Sequence, residues 1–309
     1  MAITAKQVAD LRAKTGVGMM ECKKALTAAN GDDEEAIKIL REKGLSVAAK
    51  KSGRVAAEGV VDIAYCDECK TAAMIEVNIE TDFAAKNETF ANFVKDILGV
   101  ILKYKPADIN ALNALPFSAD MTVEAAVKDK IFTIGENINI RRFTVVEGTI
   151  STYVHGKGAI GVIVKMAEPA SDNPLFAEAA KNMALQIAAM GPQYLDEASV
   201  PASVIESEKE IIAATIKNDE ANAKKPANII DKMVLGKLSK FYETNCLLLQ
   251  SYVKDDQLNV KKYLASVSAE IGSPVAVEAF YKYERGEGIE KKEENYAEEI
   301  AKLAGIATK

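Results

Sequence analysis

Few residues in this chain have the types and spacing that chemistry requires. Cysteine occurs four times, as Cys22, Cys66, Cys69 and Cys246, and histidine once, as His155. Cys66-Asp67-Glu68-Cys69 is a lone CxxC. Two thiolates at that spacing supply half of a tetrahedral zinc site, but a closed site needs a second ligand pair. His155 is far away in sequence, so the simplest reading is a reduced pair in a loop. Four cysteines in 309 residues do not make a disulfide framework. Gly156-Lys157-Gly158-Ala159-Ile160-Gly161 fits the dinucleotide pattern GxGxxG, but that pattern must open a helix. The VIVKM that follows reads as a strand, so the glycines read as a hairpin turn. There is no GxxxxGK[ST] phosphate loop, and no nucleophile–base pair assembles around one histidine. The expectation is a protein that works by contact, with no cofactor, no metal and no covalent chemistry of its own.

The strongest candidate for contact is IETDFAAKNETF, from Ile79 to Phe90. Its left edge reads as a strand and its right side as a helix starting near Phe83. Thr81 or Asp82 can cap that helix, and Asp82 suits its positive end. By periodicity Phe83 falls on the stripe Phe83, Asn87, Phe90, Val94, Ile97 and Ile101, and apolar stripes mostly mark cores. The other reading is a wedge. An aromatic at the tip of a capped helix docked on a strand has a fixed direction and little entropy left to lose on binding.

The composition narrows the partner. A net charge of −6 and a pI near 5.2 argue against a mainly electrostatic nucleic-acid binder, which needs a basic face. No uncharged run is long enough to cross a bilayer. MAITAKQVADLRAK lacks the apolar core and cleavage site of a signal peptide, so a cytoplasmic location is expected.

The positioning elements predict an α+β, multidomain fold. Residues 1–52 read as three short helices. Thr4 caps the first, which carries Val8 and Leu11. Met20–Ala29 forms the second. Glu34–Lys43 forms the third, with Ile37 and Leu40 inward and Gly44 at its C′ position. This resembles a ubiquitin-associated-type bundle, followed by a basic linker, AAKKSGR, from Ala48. Beyond it the chain repeats. Glu58-Gly59 and Glu147-Gly148 each open a two-stranded hairpin, followed by an alanine-rich helix from Phe83 or Phe176. Each half then closes with a helix, an Ile-Gly step (Ile134-Gly135, Ile271-Gly272) and a strand. The opening pairs are 89 residues apart and the closing steps 137, so the second half carries about 48 extra residues. These fall between Pro201 and Asn259. There Val204, Ile205, Glu208, Ile211, Ile212, Thr215 and Ile216 make one stripe, and Ile229, Ile230, Met233, Val234, Lys237, Leu238 and Phe241 a second. Two such helices with a break at Lys224-Lys225-Pro226 predict a projecting antiparallel hairpin. Such an arm touches another subunit or a partner, or else packs on its own body. The expected domains are 1–52, 53–146, 147–288 with the insertion at about 201–259, and a C-terminal helical module over 289–309.

Five segments carry a specific resemblance. LRAKTGVGMMECKKAL from Leu11, IEVNIETDFAAKNETF from Ile75, IGENINIRR from Ile134, YVHGKGAIGVIV from Tyr153 and FYKYERGEGIEK from Phe280 are similar to segments of the elongation factor Ts family. The resemblance covers essentially the whole chain. Two positions depart from it: Ile79 stands where cysteine is usual, and Ala84 where valine is frequent. The Cys66–Cys69 turn has no counterpart in it.

The resemblance implies a guanine-nucleotide exchange factor whose partner is elongation factor Tu, GDP-bound or nucleotide-free, with no direct nucleic-acid or membrane contact. It implies that Thr81, Asp82, Phe83 and Ala84 form the segment entering the partner's nucleotide-binding domain. There Asp82 and Phe83 disturb the region that organises Mg²⁺. Lys23, Ile134, Gly135 and His155 fall on the family's contact positions, as do Tyr252 and Val253. A homodimer or arm contact through the helical hairpin is a further expectation. Two other classes compete: an adaptor, which would need only residues 1–52, and an NAD-binding enzyme, which rests on GKGAIG alone.

Overall fold

The computed structural model describes residues 3–219 and 226–290. Helices and antiparallel sheets alternate in an α+β fold, in two compact units by contact density.

The first unit contains residues 3–62, 75–143 and 284–290. It opens with three helices, α1 (Ala5–Thr15), α2 (Met19–Ala28) and α3 (Asp33–Lys51). Thr4 and Gln7 form a capping box at the start of α1, and Gly16 ends it at φ +68°. Asp32 caps α3 through the Glu35 N–H at 2.9 Å. Val8, Leu11, Val17, Cys22, Ala25, Leu26, Ala36 and Leu40 fill the space between the helices.

The hairpin strands β1 (Glu58–Cys66) and β2 (Thr71–Ile79) follow. After them come α4 (Asp82–Ala85), α5 (Glu88–Tyr104), α6 (Ile109–Ala114) and a short antiparallel pair, β3 (Pro116–Ser118) and β4 (Met121–Thr122). Helix α7 (Val123–Ile134) leads to β5 (Ile138–Glu147). The sheet order is β1-β2-β5, and β2 is buried along its whole length.

Two sequence expectations are corrected here. The third helix does not stop at Lys43 with Gly44 beyond it. α3 runs on to Lys51 and absorbs the first half of the expected linker. The reason is tertiary. Gly44 is buried in mid-helix, where α3 packs on α7, and a Cβ there would lie 3.5 Å from Phe132. The glycine lets two helices approach closely rather than ending one. The second correction concerns the helix predicted from Phe83. It is two helices, because Lys86 and Asn87 interrupt it and the Asn87 carboxamide accepts from the Thr89 N–H at 2.8 Å to cap α5.

The second unit contains residues 63–74 and 144–283. Strands β6 (Ile150–His155) and β7 (Ile160–Met166) pair antiparallel, from Ile150 opposite Lys165 to His155 opposite Ile160. Then come α8 (Pro174–Met190), α9 (Ala202–Asn218), α10 (Ala227–Asn245), the pair β8 (Ser251–Tyr252) and β9 (Asp255–Asn259), α11 (Val260–Ile271) and β10 (Val277–Glu284). The sheet order is β10-β7-β6. Val162, Val164, Phe176, Met183, Ile187 and Leu264 anchor its core.

The duplication is visible in the topology. In each sheet the second hairpin strand is central, flanked by its hairpin partner and by the strand after the glycine step. Those glycines, Gly135 and Gly272, both take left-handed conformations, at φ +89° and +68°. A small β pair precedes the closing helix in both halves, which the sequence reading did not anticipate. The insertion is α9 and α10, packed on each other through Ile212, Ile216 and Leu238. Ile211 is off this seam and exposed. Residues 220–225, which include Lys224 and Lys225 of the expected break, and most of the expected C-terminal module, from residue 291, lie outside the described residues. No described helix is long and apolar enough to cross a membrane.

Candidate partner-binding site

Strand β2 ends at the fully buried Ile79, and the chain turns through Glu80 and Thr81 into the four-residue α4. Thr81 is the cap. Its extended backbone (φ −121°, ψ 154°) lets its hydroxyl accept from the Ala84 N–H at 3.2 Å. Asp82, the other capping candidate, is instead the first helical residue and forms an ion pair with Lys86 at 2.6 Å. The Lys86 hydrogen bond holds the Asp82 carboxyl below its ordinary pKa.

The corner between α7 and β5 clamps this turn. Glu136 accepts the Thr81 hydroxyl at 2.8 Å and the Thr81 N–H at 2.9 Å. Glu80 in return accepts the Asn137 N–H at 2.6 Å. Asn137 donates to the Arg54 carbonyl at 2.8 Å, and Lys51 donates to the Gly135 carbonyl. Ala84 and Ala85 pack inward. Phe83, between clamp and packed alanines, is 85% exposed. The break at Lys86-Asn87 takes Phe83 off the buried stripe of α5, which begins at Phe90. Leaving a phenylalanine in water forgoes roughly 1.5–3 kcal/mol that a partner could recover.

The first unit therefore brings Thr81–Ala84 and Ile134-Gly135 together, through Glu136. Sequence reasoning did not single out Glu136, Glu80 or Asn137. Their signal, acids beside each of two recognised segments, looks in sequence like ordinary surface charge. Lys23 stands exposed on α2, one helical turn from the exposed Met19 and Met20. Ile134 is half-buried and Gly135 exposed.

In the second unit His155 is exposed at the end of β6, with Nδ1 2.9 Å from the Tyr153 hydroxyl. Gly156, Lys157 and Gly158 have positive φ and turn the chain into β7, so GKGAIG is a hairpin turn and opens no helix. Tyr252 is buried and stacked on Tyr263, ring centroids 4.1 Å apart, and burial pushes its phenol pKa up. Of the expected pair Tyr252-Val253 only Val253 is exposed; its N–H donates to Gln186 at 2.8 Å. Tyr252 can support a contact at that position but cannot offer its ring.

A separate polar cluster is structural. Glu76, fully buried on β2, accepts from Arg141 at 3.0 Å, Arg142 at 2.6 Å, the Gly286 N–H at 2.8 Å and Asn78 at 3.1 Å. Burial alone would raise its pKa, but these four donors outweigh it and hold the carboxyl low. Gly286 is held so close that a Cβ would lie 2.4 Å from the Ala57 carbonyl oxygen. The ERGEG segment is thus a strap on the first unit. No group of three or more His, Cys, Asp and Glu is placed for a metal among the described residues.

Comparison with known proteins identifies the family. Residues 80–287 match the family model described as Elongation factor TS. A curated relative named elongation factor Ts, from Clostridium perfringens, is 46% identical over 98% of this chain and 99% of its own length. Those of Clostridium kluyveri and Syntrophotalea carbinolica are 45% and 44% identical, with coverage of 97–99% of each chain. Two thirds of the sequence matched by the model and near full-length identity at this level are conclusive: the chain belongs to the elongation factor Ts family.

Proposed function

We propose that this protein is a guanine-nucleotide exchange factor that binds elongation factor Tu and expels GDP by inserting Phe83, with Asp82, beside the Mg²⁺ and nucleotide site. The carrying observation is the 85% exposure of Phe83 on a turn fixed by the Thr81 cap and the Glu136 clamp. GDP is held in its own site by backbone donors around its phosphates and by Mg²⁺. A wedge that moves this scaffold weakens nucleotide binding, and by linkage nucleotide weakens the factor by the same ratio. Exchange then needs complementarity to the emptied partner and no acid or base in this chain, so the protein is not an enzyme in the covalent sense.

Lys23, the Ile134-Gly135 step, His155 and Val253 are the accompanying contacts in this reading. Residues 1–52 dock, and 53–146 and 147–288 form the two core subdomains. Action in the cytoplasm on GDP-bound and nucleotide-free partner follows from the same reading, with α9 and α10 available for self-association. The test is release of labelled GDP from elongation factor Tu with and without this protein. Acceleration is expected; identical release rates would refute the proposal.

A further inference from the structure

Cys66 ends β1, and Cys69 stands three residues on, in the turn that enters β2. The Cys69 N–H donates to the Cys66 sulfur at 3.3 Å, and the Cys69 thiol donates to the Cys66 carbonyl at 4.0 Å. Each sulfur therefore lies against the other residue's backbone. Turns of this length bring their end Cα atoms within about 7 Å, which overlaps the span of a disulfide. The turn is tied from both sides: Thr71 donates to the Cys69 carbonyl at 2.8 Å, and the Gly148 N–H to the Lys70 carbonyl at 2.9 Å. Cys66 is half-buried and Cys69 exposed, so a small reagent can reach them, whereas Cys22 and Cys246 are buried. Asp67 and Glu68 lie in the same turn, and no group of three or more His, Cys, Asp and Glu is placed for a metal among the described residues.

We propose that the Cys66–Cys69 turn is a reversible oxidation site, closing to an intraturn disulfide by exchange with a low-molecular-weight disulfide, RSSR. One cysteine, as thiolate, attacks a sulfur of RSSR. The S–S bond breaks, a mixed disulfide forms, and RS⁻ leaves and takes a proton from water. The second cysteine loses its proton to water and attacks the mixed disulfide, releasing the second RS⁻, which is also protonated. The protein dithiol gives up two electrons and two protons, and RSSR becomes two RSH. The second step is intramolecular, so the neighbouring thiol acts at an effective concentration of millimolar order or above. A persistent mixed adduct is therefore disfavoured.

The full chain is reduced, equilibrated with mixtures of oxidised and reduced glutathione, quenched by alkylation and mapped by peptide mass. The expected result is a peptide carrying both Cys66 and Cys69 that has lost two hydrogens, exceeding the glutathione adduct by about tenfold or more. Cys22 and Cys246 should stay reduced. Cys66→Ser and Cys69→Ser should each accumulate the glutathione adduct on the remaining thiol. Three outcomes would overturn the proposal. One is a pair that stays reduced in mixtures that modify the single-cysteine variants. Another is a dominant mixed adduct in the native chain. The third is a metal or disulfide bridge between two chains that consumes both thiols.

Discussion

Glu136 holds Thr81 twice, at the hydroxyl (2.8 Å) and at the backbone N–H (2.9 Å). Two segments 55 residues apart are thereby joined at the point where β2 becomes α4. The hydroxyl that caps α4 is itself gripped, so the direction of the next two residues is set by the α7–β5 corner.

Glu136→Ala should loosen that grip without exposing a core. Hydrogen bonds to a charged acceptor contribute about 1.5–3 kcal/mol when buried, and this half-exposed clamp should contribute about 1 kcal/mol to stability. GDP release should slow by roughly tenfold, since a displaced wedge loses part of its binding energy. Thermal melting and labelled-GDP release on one preparation check both; native exchange with a lowered melt would make the clamp purely structural.

Phe83→Ala should leave folding almost unchanged, within about 0.5 kcal/mol, because the ring has little packing to lose. Exchange should fall by roughly thirty- to several-hundred-fold if the ring is an interface hot spot of about 2–4 kcal/mol. A buried phenylalanine would have shown the reverse, a folding loss of about 3–5 kcal/mol. Stopped-flow GDP release beside a denaturant titration separates the two.

Asp82→Asn and Asp82→Ala should behave alike in the melt, because Thr81 and not Asp82 caps α4. The Lys86 hydrogen bond holds the folded carboxyl below its ordinary value of 3.8. The stability from this pair is therefore present above that value and lost as pH falls through the folded pKa, well below neutrality. Any loss of exchange shared by both variants near neutral pH then reports the charge acting on the partner. Normal exchange by Asp82→Asn would leave Phe83 as the whole wedge.

Glu76→Gln should destabilise the first unit by about 3 kcal/mol at neutral pH, the low end for breaking a buried pair, since both arginines retain some water. Its folded pKa lies below the ordinary value of 4.5. In the native protein this stabilisation is complete above that pH and is lost as pH falls through the folded pKa. The variant should accordingly show a shallower loss of stability below pH 4.5 in acid-titration melts.

Removal of residues 201–241, bridged by a short linker, should leave the rest folded. The α9–α10 seam is internal to the hairpin, while Tyr194 still pairs with Cys246 and Leu247 stays in the second core. A core that unfolds along with the arm in a thermal melt would show that α9 and α10 are structural rather than inserted.

What the sequence determined by itself is local or repeated. The Thr4 cap, the hairpins around the Cys66–Lys70 and Gly156–Ala159 turns, and the Gly135 and Gly272 steps follow from residues interacting with, or freeing, their own backbone. Such interactions need no distant partner, so periodicity and turn chemistry reveal them. The matching order of the two sheets was legible because the same pattern occurs twice.

Three features were decided only by tertiary structure. Gly44 reads as a helix end until Phe132 packs over it, because a glycine stops or continues a helix according to what lies beyond its missing side chain. Glu76 is a buried acid in a strand only because Arg141, Arg142 and Gly286 converge on it from remote parts of the chain and offset its desolvation. Phe83 reads as the first residue of an apolar stripe. Only the Asn87 cap, which breaks the helix, and the Glu136 grip on Thr81, which fixes the turn before it, take the ring off that stripe and into solvent. Spacing along a chain sets the face of a residue only while the helix is continuous, and where a helix breaks, long-range hydrogen bonds choose the direction.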